Sequence, residues 1–294
     1  MAGRQFAEIS LSSAGTYLEV LKLERTAEWN NRIAEGVRSF LAGLSEEEKE
    51  VRLTKSFLSP EAKAKGHSSI PCLDRVSEED KQWVVGFWEG DGTPSLTNSN
   101  KSFDLFFFQK ESQVLEYIKG LVGGGSLSLG HGYDDLYHLG FYGWDRCLPL
   151  LCIFSQYLVG RYRVGQLNKL FDKVGFPFRF EEHEPTLPWV VGFFDAEGGT
   201  GLWERQFDLS FTQTRDKQVL EKIQRVLGGR IQKEVGKLYL RVEDIRRFLP
   251  VYLTYSKNLQ KRNKILSNLF CIAQVSKTWR TYIDNNALLR RYLP

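Results

Sequence analysis

The sequence predicts an α+β fold: two pseudo-symmetric α-β-β-α-β-β-α repeats with antiparallel sheets around two central packed motif helices. Three observations predict it. First, Val84-Val85-Gly86-Phe87-Trp88-Glu89-Gly90-Asp91-Gly92 and Val190-Val191-Gly192-Phe193-Phe194-Asp195-Ala196-Glu197-Gly198 share one pattern: apolar, apolar, Gly, aromatic, aromatic, acid, small, acid, Gly. Their last acids, Asp91 and Glu197, are 106 residues apart (197 − 91). Second, further matches follow in the same order at a drifting offset. Ser102-Phe103-Asp104-Leu105 matches Gln206-Phe207-Asp208-Leu209, Gln109 matches Gln213, and Gln113-Val114-Leu115-Glu116 matches Gln218-Val219-Leu220-Glu221. Gly123-Gly124, Leu136-Tyr137 and Leu148-Pro149 match Gly228-Gly229, Leu238-Tyr239 and Leu249-Pro250. Third, in both halves a period-two apolar alternation lies between stretches of helical period.

These observations divide the chain into an N-terminal helical extension and linker (1–76), a first repeat (77–180), and a second repeat with a C-terminal helical tail (181–294). In the extension, Tyr17, Leu18 and Leu21, then Trp29, Ile33, Val37, Phe40 and Leu41, recur at helical spacing and predict two amphipathic helices. The turn-rich Ser59-Pro60 and Gly66-His67-Ser68-Ser69-Ile70-Pro71 lead into the first repeat. There Ser77 caps a helix with Trp83, Val84, Phe87 and Trp88 on its apolar side, and Gly92 and Pro94 stop it. A strand follows with Phe103, Leu105 and Phe107 on one face. A helix then carries Val114, Leu115, Ile118 and Leu121, and a hairpin follows Gly123-Gly124-Gly125. The hairpin of the second repeat reads as Ile231 and Val235, a turn at Gly236, then Leu238, Leu240 and Val242 on one face. Helices around Leu148 to Phe171 and Phe248 to Phe270 close the repeats, and the stretch from Phe176 to Pro185 links them.

Composition bounds the function. Of 294 residues, 42% are hydrophobic and 26% charged, the balance of a folded globular chain. No apolar run approaches the roughly 18 residues of a membrane helix, so no membrane partner is expected. The net charge of +4 permits a nucleic-acid partner without demanding one. Cys72, Cys147, Cys152 and Cys271 form no CxxC pair, which argues against zinc. With no secretory signal at Met1-Ala2-Gly3, they read as reduced thiols in an intracellular compartment. No Gly-rich phosphate loop points to a nucleotide hydrolase, and no HNH or GIY-YIG pattern points to another nuclease chemistry.

The chemistry lies in the paired stretches. Gly86-x-x-x-Gly90 and Gly192-x-x-x-Ala196 each put two small residues on one helical face, where two backbones can approach closely. Packed in parallel, the two helices bring Asp91 and Glu197 together at their C-terminal ends. Those ends carry partial negative charge, so a pair of carboxylates there is unfavourable unless a cation relieves it. A few hard oxygen donors suit Mg²⁺, with water completing its shell. An acid before a terminal glycine is otherwise an ordinary helix end; two in register inside matching repeats call for more.

This pairing resembles the LAGLIDADG homing endonucleases in their single-chain, two-repeat form, over residues 77 to about 270. Val-Val stands for Leu-Ala and aromatics for Leu-Ile, but Gly86, Gly192, Asp91 and Glu197 keep their type. Leu41-Ala42-Gly43-Leu44 spells the start of the motif but is a decoy, because Ser45-Glu46-Glu47-Glu48 follows. Gly43 reads as a helix C-cap, and Ser45 with Glu48 as a capping box.

The resemblance implies saddle-like sheets and a monomer that binds double-stranded DNA. It implies Mg²⁺ held by Asp91 and Glu197, and cutting of both strands of a long site to leave four-base 3′ overhangs. Intron or intein mobility, and a mitochondrial or chloroplast location, come with it. It assigns Gln109 and Gln213 to the neighbourhood of the attacking water. It assigns a basic residue near the start of the last helix: Lys257 in Ser256-Lys257-Asn258, and Arg161 or Arg163 in the first repeat.

Base contacts are expected from the alternate strand face. In the second repeat these are Arg205, Gln206, Ser210, Arg230, Gln232, Lys233, Lys237, Tyr239 and Arg241, beside Glu204, Asp208 and Thr212. In the first they are Ser95, Thr97, Asn98, Asn100 and Lys101. That face also presents Asp104, Phe106 and Phe108, with Asp134 and Asp135 in its second hairpin, and little positive charge. This departure, with the N-terminal extension, keeps two alternatives open: a group I intron RNA maturase on the same scaffold, and a catalytically inactive DNA-binding module.

Overall fold

A computed structural model of the chain describes residue 73 and residues 76–97, 102–130, 135–174, 178–203 and 206–293. The expected N-terminal helices, the cap at Gly43 and the box at Ser45 lie outside the described residues.

Helix α1 (Glu78–Asp91) begins directly after Ser77 and ends where strand β1 (Gly92–Thr97) begins. Strand β2 (Ser102–Gln109), α2 (Ser112–Val122), β3 (Ser126–Leu129), β4 (Tyr137–Tyr142), α3 (Trp144–Tyr157) and α4 (Arg161–Lys173) complete the first repeat. The second repeat runs α5 (Leu187–Glu197), β5 (Gly198–Trp203), β6 (Gln206–Thr212), α6 (Lys217–Leu227), β7 (Arg230–Gln232), β8 (Lys237–Tyr239), α7 (Val242–Tyr255) and α8 (Leu259–Val275). The tail forms α9 (Lys277–Asp284) and α10 (Ala287–Arg290).

Each repeat builds its own four-stranded antiparallel sheet, ordered β1-β2-β4-β3 and β5-β6-β8-β7. The register repeats as well: Gly92 pairs with Phe107 and Gly198 with Phe211. The expected inward faces are buried. In the first sheet, Phe103, Leu105, Phe107, Leu139 and Phe141 meet Val114, Leu115 and Ile118 of α2. Burial at period two on the strand and at three to four on the helix is what each backbone geometry allows. In the second sheet, Phe207, Leu209, Phe211 and Leu238 are buried: β6 packs against α7 and α8, and β8 against α6, whose Val219, Leu220 and Ile223 are buried.

Three expectations need correction. Val242 is not on the strand face: pairing ends at Tyr239, the Leu240 amide donates to the Leu209 carbonyl, and Val242 opens α7, 42% exposed. Val235 lies in the β7–β8 turn and is exposed. The Leu-Pro match is displaced by one turn. Helices α3 and α7 correspond at an offset of 98 residues (242 − 144 and 255 − 157), whereas the prolines differ by 101 (250 − 149). Both prolines lie inside their helices, so the shared dipeptide marks a similar helix, not an equivalent position.

The described chain forms two compact units. One holds residues up to 77 with 92–158 and 163–181; the other holds 78–91, 159–162 and 182–294. Helix α1 thus belongs by sequence to the first repeat and by packing to the second unit, beside α5.

Candidate active site

The site is built on α1 and α5. Thr186 caps α5 through its hydroxyl, which accepts from the Trp189 amide at 3.4 Å, and Pro188 lies in the first turn. The two helices pack in parallel. A Cβ added at Gly86 would lie 2.0 Å from the Trp189 carbonyl oxygen, and one at Gly192 would lie 2.0 Å from that of Trp83. Closer to the C-terminal ends, a Cβ at Gly90 would lie 2.5 Å from the Ala196 Cβ and 3.0 Å from the Glu197 Cγ. The small residues therefore let the backbones touch, as their spacing predicts, and the contact continues to the last turn. Asp91 and Glu197 are the final residues of these helices, each half-exposed.

Two other carboxylates hold this end in place. Glu89 and Asp195 each precede the terminal acid by two residues and are buried. Two residues turn an α-helix by about 200°, so when one acid faces the open end its neighbour points into the protein. Glu89 accepts from the Val159 amide at 2.6 Å, the Gly160 amide at 2.7 Å and the Trp189 indole at 3.3 Å. Asp195 mirrors it, accepting from the Trp83 indole at 3.0 Å and from the Lys257 and Asn258 amides at 2.9 and 3.3 Å. It also takes the Ser256 hydroxyl at 2.8 Å and the Tyr252 phenol at 3.0 Å. Each motif helix thus grips the partner helix through an indole, and the loop before the last helix through two amides.

Burial raises the Asp195 carboxyl above the ordinary value, opposed by the Lys257 amide, the Lys261 charge, the Ser256 hydroxyl and the Trp83 indole. Five donors converge on its two oxygens, so Asp195→Asn places an NH₂ group against groups that can only donate or already do. Two or more buried donors lose their acceptor at about 1–3 kcal/mol each. We expect Asp195→Asn to lower stability by roughly 3 kcal/mol, read as a lower urea midpoint at unchanged slope.

These contacts also align the repeats. Val159 corresponds to Lys257 and Gly160 to Asn258, at the same offset of 98 (257 − 159). Arg161 therefore corresponds to Leu259, not to Lys257; it is the exposed first residue of α4. Lys257 is also not directed at the paired acids. Its ammonium pairs with Asp80 at 3.1 Å, in the first turn of α1, about 16 Å up the helix from Asp91 at 1.5 Å per residue. Its backbone is fixed by Asp195, and its side chain reaches the Asp80 carboxylate.

The basic group at the acid end is Lys261. Its Nζ donates to the carbonyls of Phe194, Asp195 and Ala196 at 2.9, 2.8 and 3.0 Å. These are the carbonyls a helix end leaves unpaired, and a cation there offsets the negative pole beside Glu197. A Lys four residues after the loop position, one helical turn into α8, was the signal available in the sequence.

The two glutamines take equivalent places. Gln109 ends β2 and its Oε1 accepts from the Lys110 amide at 2.9 Å; Gln213 follows β6 and its Oε1 accepts from the Arg215 amide at 3.0 Å. Both are half-buried.

On the second sheet, Gln206, Arg230, Gln232 and Lys233 are exposed and Lys237 and Tyr239 half-buried, with the Lys237 ammonium 4.8 Å from the Tyr239 ring centre. Ser210 is 1% exposed, which removes it from contact. It lies between Gly199 and Tyr239 on the flanking strands. Arg241 lies past the strand, before α7, and its guanidinium pairs with Asp244 at 2.8 Å. On the first sheet Ser95 is half-buried, and the Thr97 hydroxyl donates to Asp104 at 3.1 Å. Asn98, Asn100, Lys101 and Arg205 lie outside the described residues.

No protein-family model and no curated protein matches the chain. Solved structures do. The LAGLIDADG meganuclease I-AabMI, bound to uncleaved DNA, aligns at TM-score 0.54 and 15% identity over 70% of this chain and 98% of its own. I-CpaMI, a LAGLIDADG meganuclease also bound to uncleaved DNA, aligns at TM-score 0.51 and 12% identity over 69% and 94%. The LAGLIDADG homing endonuclease I-GzeII, in complex with its DNA target, aligns at TM-score 0.51 and 14% identity over 74% and 96%. The likeness is one of fold: the two-repeat LAGLIDADG architecture expected from the paired motifs is the architecture of this chain.

Proposed function

We propose that this chain, with its LAGLIDADG meganuclease fold, is a site-specific endonuclease that hydrolyses both strands of a long DNA target with Mg²⁺, leaving 3′ overhangs. The observation that carries the reading is that Asp91 and Glu197 are the final residues of two helices that stay in contact up to their last turns. The donor set fits a divalent cation: two hard carboxylates, half-exposed, at helix ends whose partial negative charge a cation offsets. Bound there, such an ion supplies an activated water and stabilises charge on the phosphate. The chain's own part is to hold those carboxylates. Glu89 and Asp195 fix the last turns, and Lys261 caps the α5 carbonyls. Arg230, Lys233 and Lys237 hold phosphates, with Gln206, Gln232 and Tyr239 at base edges.

Selection of cleaved sites from a randomised duplex library in Mg²⁺ tests the reading. One long recognised site with staggered ends is expected, with binding that weakens steeply as salt rises. Intact duplexes across the library would sink it. Action as a monomer, in an organelle, in support of intron or intein mobility belongs to the same proposal.

A second reading, a group I intron maturase, is favoured by the first sheet. None of its four strands carries Lys or Arg, and its outer side presents Phe106, Phe108, His138 and Tyr142. The Phe106 ring lies 5.6 Å from Tyr142 and 6.0 Å from Phe108 and from His138. Such a surface has π-faces and few charges for duplex phosphates. Faster intron splicing with the protein, unaffected by Asp91→Asn, would support it; rates indifferent to the protein would remove it.

A further inference from the structure

We propose that Trp203 is a stacking contact for duplex DNA, placing its indole against a base at the edge of the surface presented by the second sheet. The inference rests on the nucleic-acid reading above and adds a residue that reading does not use. Trp203 is the last residue of β5 and is 77% exposed. Among the described residues the other tryptophans are buried (Trp83, Trp88, Trp189, Trp279) or half-buried (Trp144). A large aromatic side chain left in water forgoes the burial that makes it useful to a core.

Strand register fixes its side of the sheet. Leu202 pairs with Phe207 of the core face, so Trp203 and its partner Gln206 lie on the opposite, outer face. Gly199 and Gly201 share that face along β5, leaving the strand bare beside the indole. The other face of β5 is occupied: the Asn268 side chain of α8 donates to the Thr200 hydroxyl at 3.2 Å.

The fold does not require an indole here. The corresponding residue of the first repeat, at the offset of the motifs (203 − 97 = 106), is Thr97, whose hydroxyl turns to Asp104 within its own sheet. The far part of the same sheet suits a polyanion: Arg230 and Lys233 are exposed and Lys237 half-buried on its hairpin, which pairs with Ser210 to Thr212 of β6 while Trp203 pairs with Gln206. These cations supply a salt-dependent attraction that any duplex satisfies. The indole adds a contact of another kind. Every base has a π-face, so stacking is tolerant of sequence and indifferent to salt, and insertion of an apolar side chain at a base step opens that step.

The test uses the full chain and a short mixed-sequence duplex, with affinity read over a range of salt. Trp203→Ala is expected to weaken binding roughly five- to hundredfold at every salt concentration, with the slope unchanged, and Trp203→Phe to retain most of the affinity. Lys237→Ala is expected to lower the slope instead. The difference in emission between wild type and Trp203→Phe isolates this indole, and duplex should quench it and shield it from acrylamide. Unaltered Trp203 emission with unaltered affinity of Trp203→Ala, while Lys237→Ala still weakens binding, would overturn the stacking role and leave the nucleic-acid reading intact. Absence of duplex binding by the wild type at low salt would overturn both.

Discussion

Asp91→Asn and Glu197→Gln are each expected to lower double-strand cleavage by on the order of 10³-fold or more while leaving the protein folded. Loss of one preorganised electrostatic group at a reacting oxygen costs about 10²–10³-fold. Loss of a carboxylate that positions a divalent cation removes both the activated water and the charge stabilisation. Stability should move the other way. Each substitution removes a negative charge from a helix C-terminus, where it is unfavourable by about 0.3–1 kcal/mol, so the variants should unfold at the same or slightly higher denaturant. Mg²⁺ titration followed by calorimetry, without DNA, gives an independent readout in which the weaker-binding variant identifies the carboxylate that holds the ion more tightly. Undiminished cutting by both variants would remove the acids from the mechanism.

The second large effect is on folding. Gly86→Ala and Gly192→Ala each introduce a methyl group 2.0 Å from a backbone carbonyl oxygen of the partner helix. A side chain could swing away from such an intrusion; a carbonyl in a helix cannot move without carrying its helix with it. Overpacking of a close-packed interior typically costs about 1–3 kcal/mol, and these two sites belong at or above the top of that range. The chain contains its own controls. Added methyl groups at Gly120 in α2 and Gly165 in α4 would meet nothing within 4 Å. There the same substitution should stabilise by about 0.5–1 kcal/mol through helix propensity. Chemical denaturation of the four variants should therefore give two signs for one substitution. A mild effect at Gly86 and Gly192 would mean that the helices do not meet as described.

The paired motifs carried most of the fold and the contact between the two motif helices. Their glycines are one helical turn apart, which sets a contact face, and a repeated order of apolar periods sets a repeated order of elements. Periodicity and small-residue spacing are local properties, so the sheets, their inward residues and the placing of Asp91 and Glu197 at the ends of two helices in contact follow from residues near one another in sequence. The same local signals misplaced Val242, because alternation runs on past the point where pairing stops, and they matched two prolines that lie a turn apart.

Tertiary structure decided what depends on partners distant in the chain. Glu89 and Asp195 look like their neighbours Asp91 and Glu197 in sequence; only the amides of residues 159–160 and 257–258 show that the first acid of each motif is a clasp and the second faces the open end. Lys257 and Lys261 are both bases near one helix start. A salt bridge sends the first to Asp80, and three carbonyls hold the second beside Glu197. A charged side chain several bonds long settles on whichever opposite charge the fold brings within reach. The sequence by itself thus determined that two helices meet and that two carboxylates stand at their ends, since backbone approach is governed by the size of residues one turn apart. Which acids are buried, which lysine caps the α5 carbonyls and which tryptophan stands in solvent were left to the tertiary structure, because burial and ion pairing are properties of the surroundings rather than of the residue.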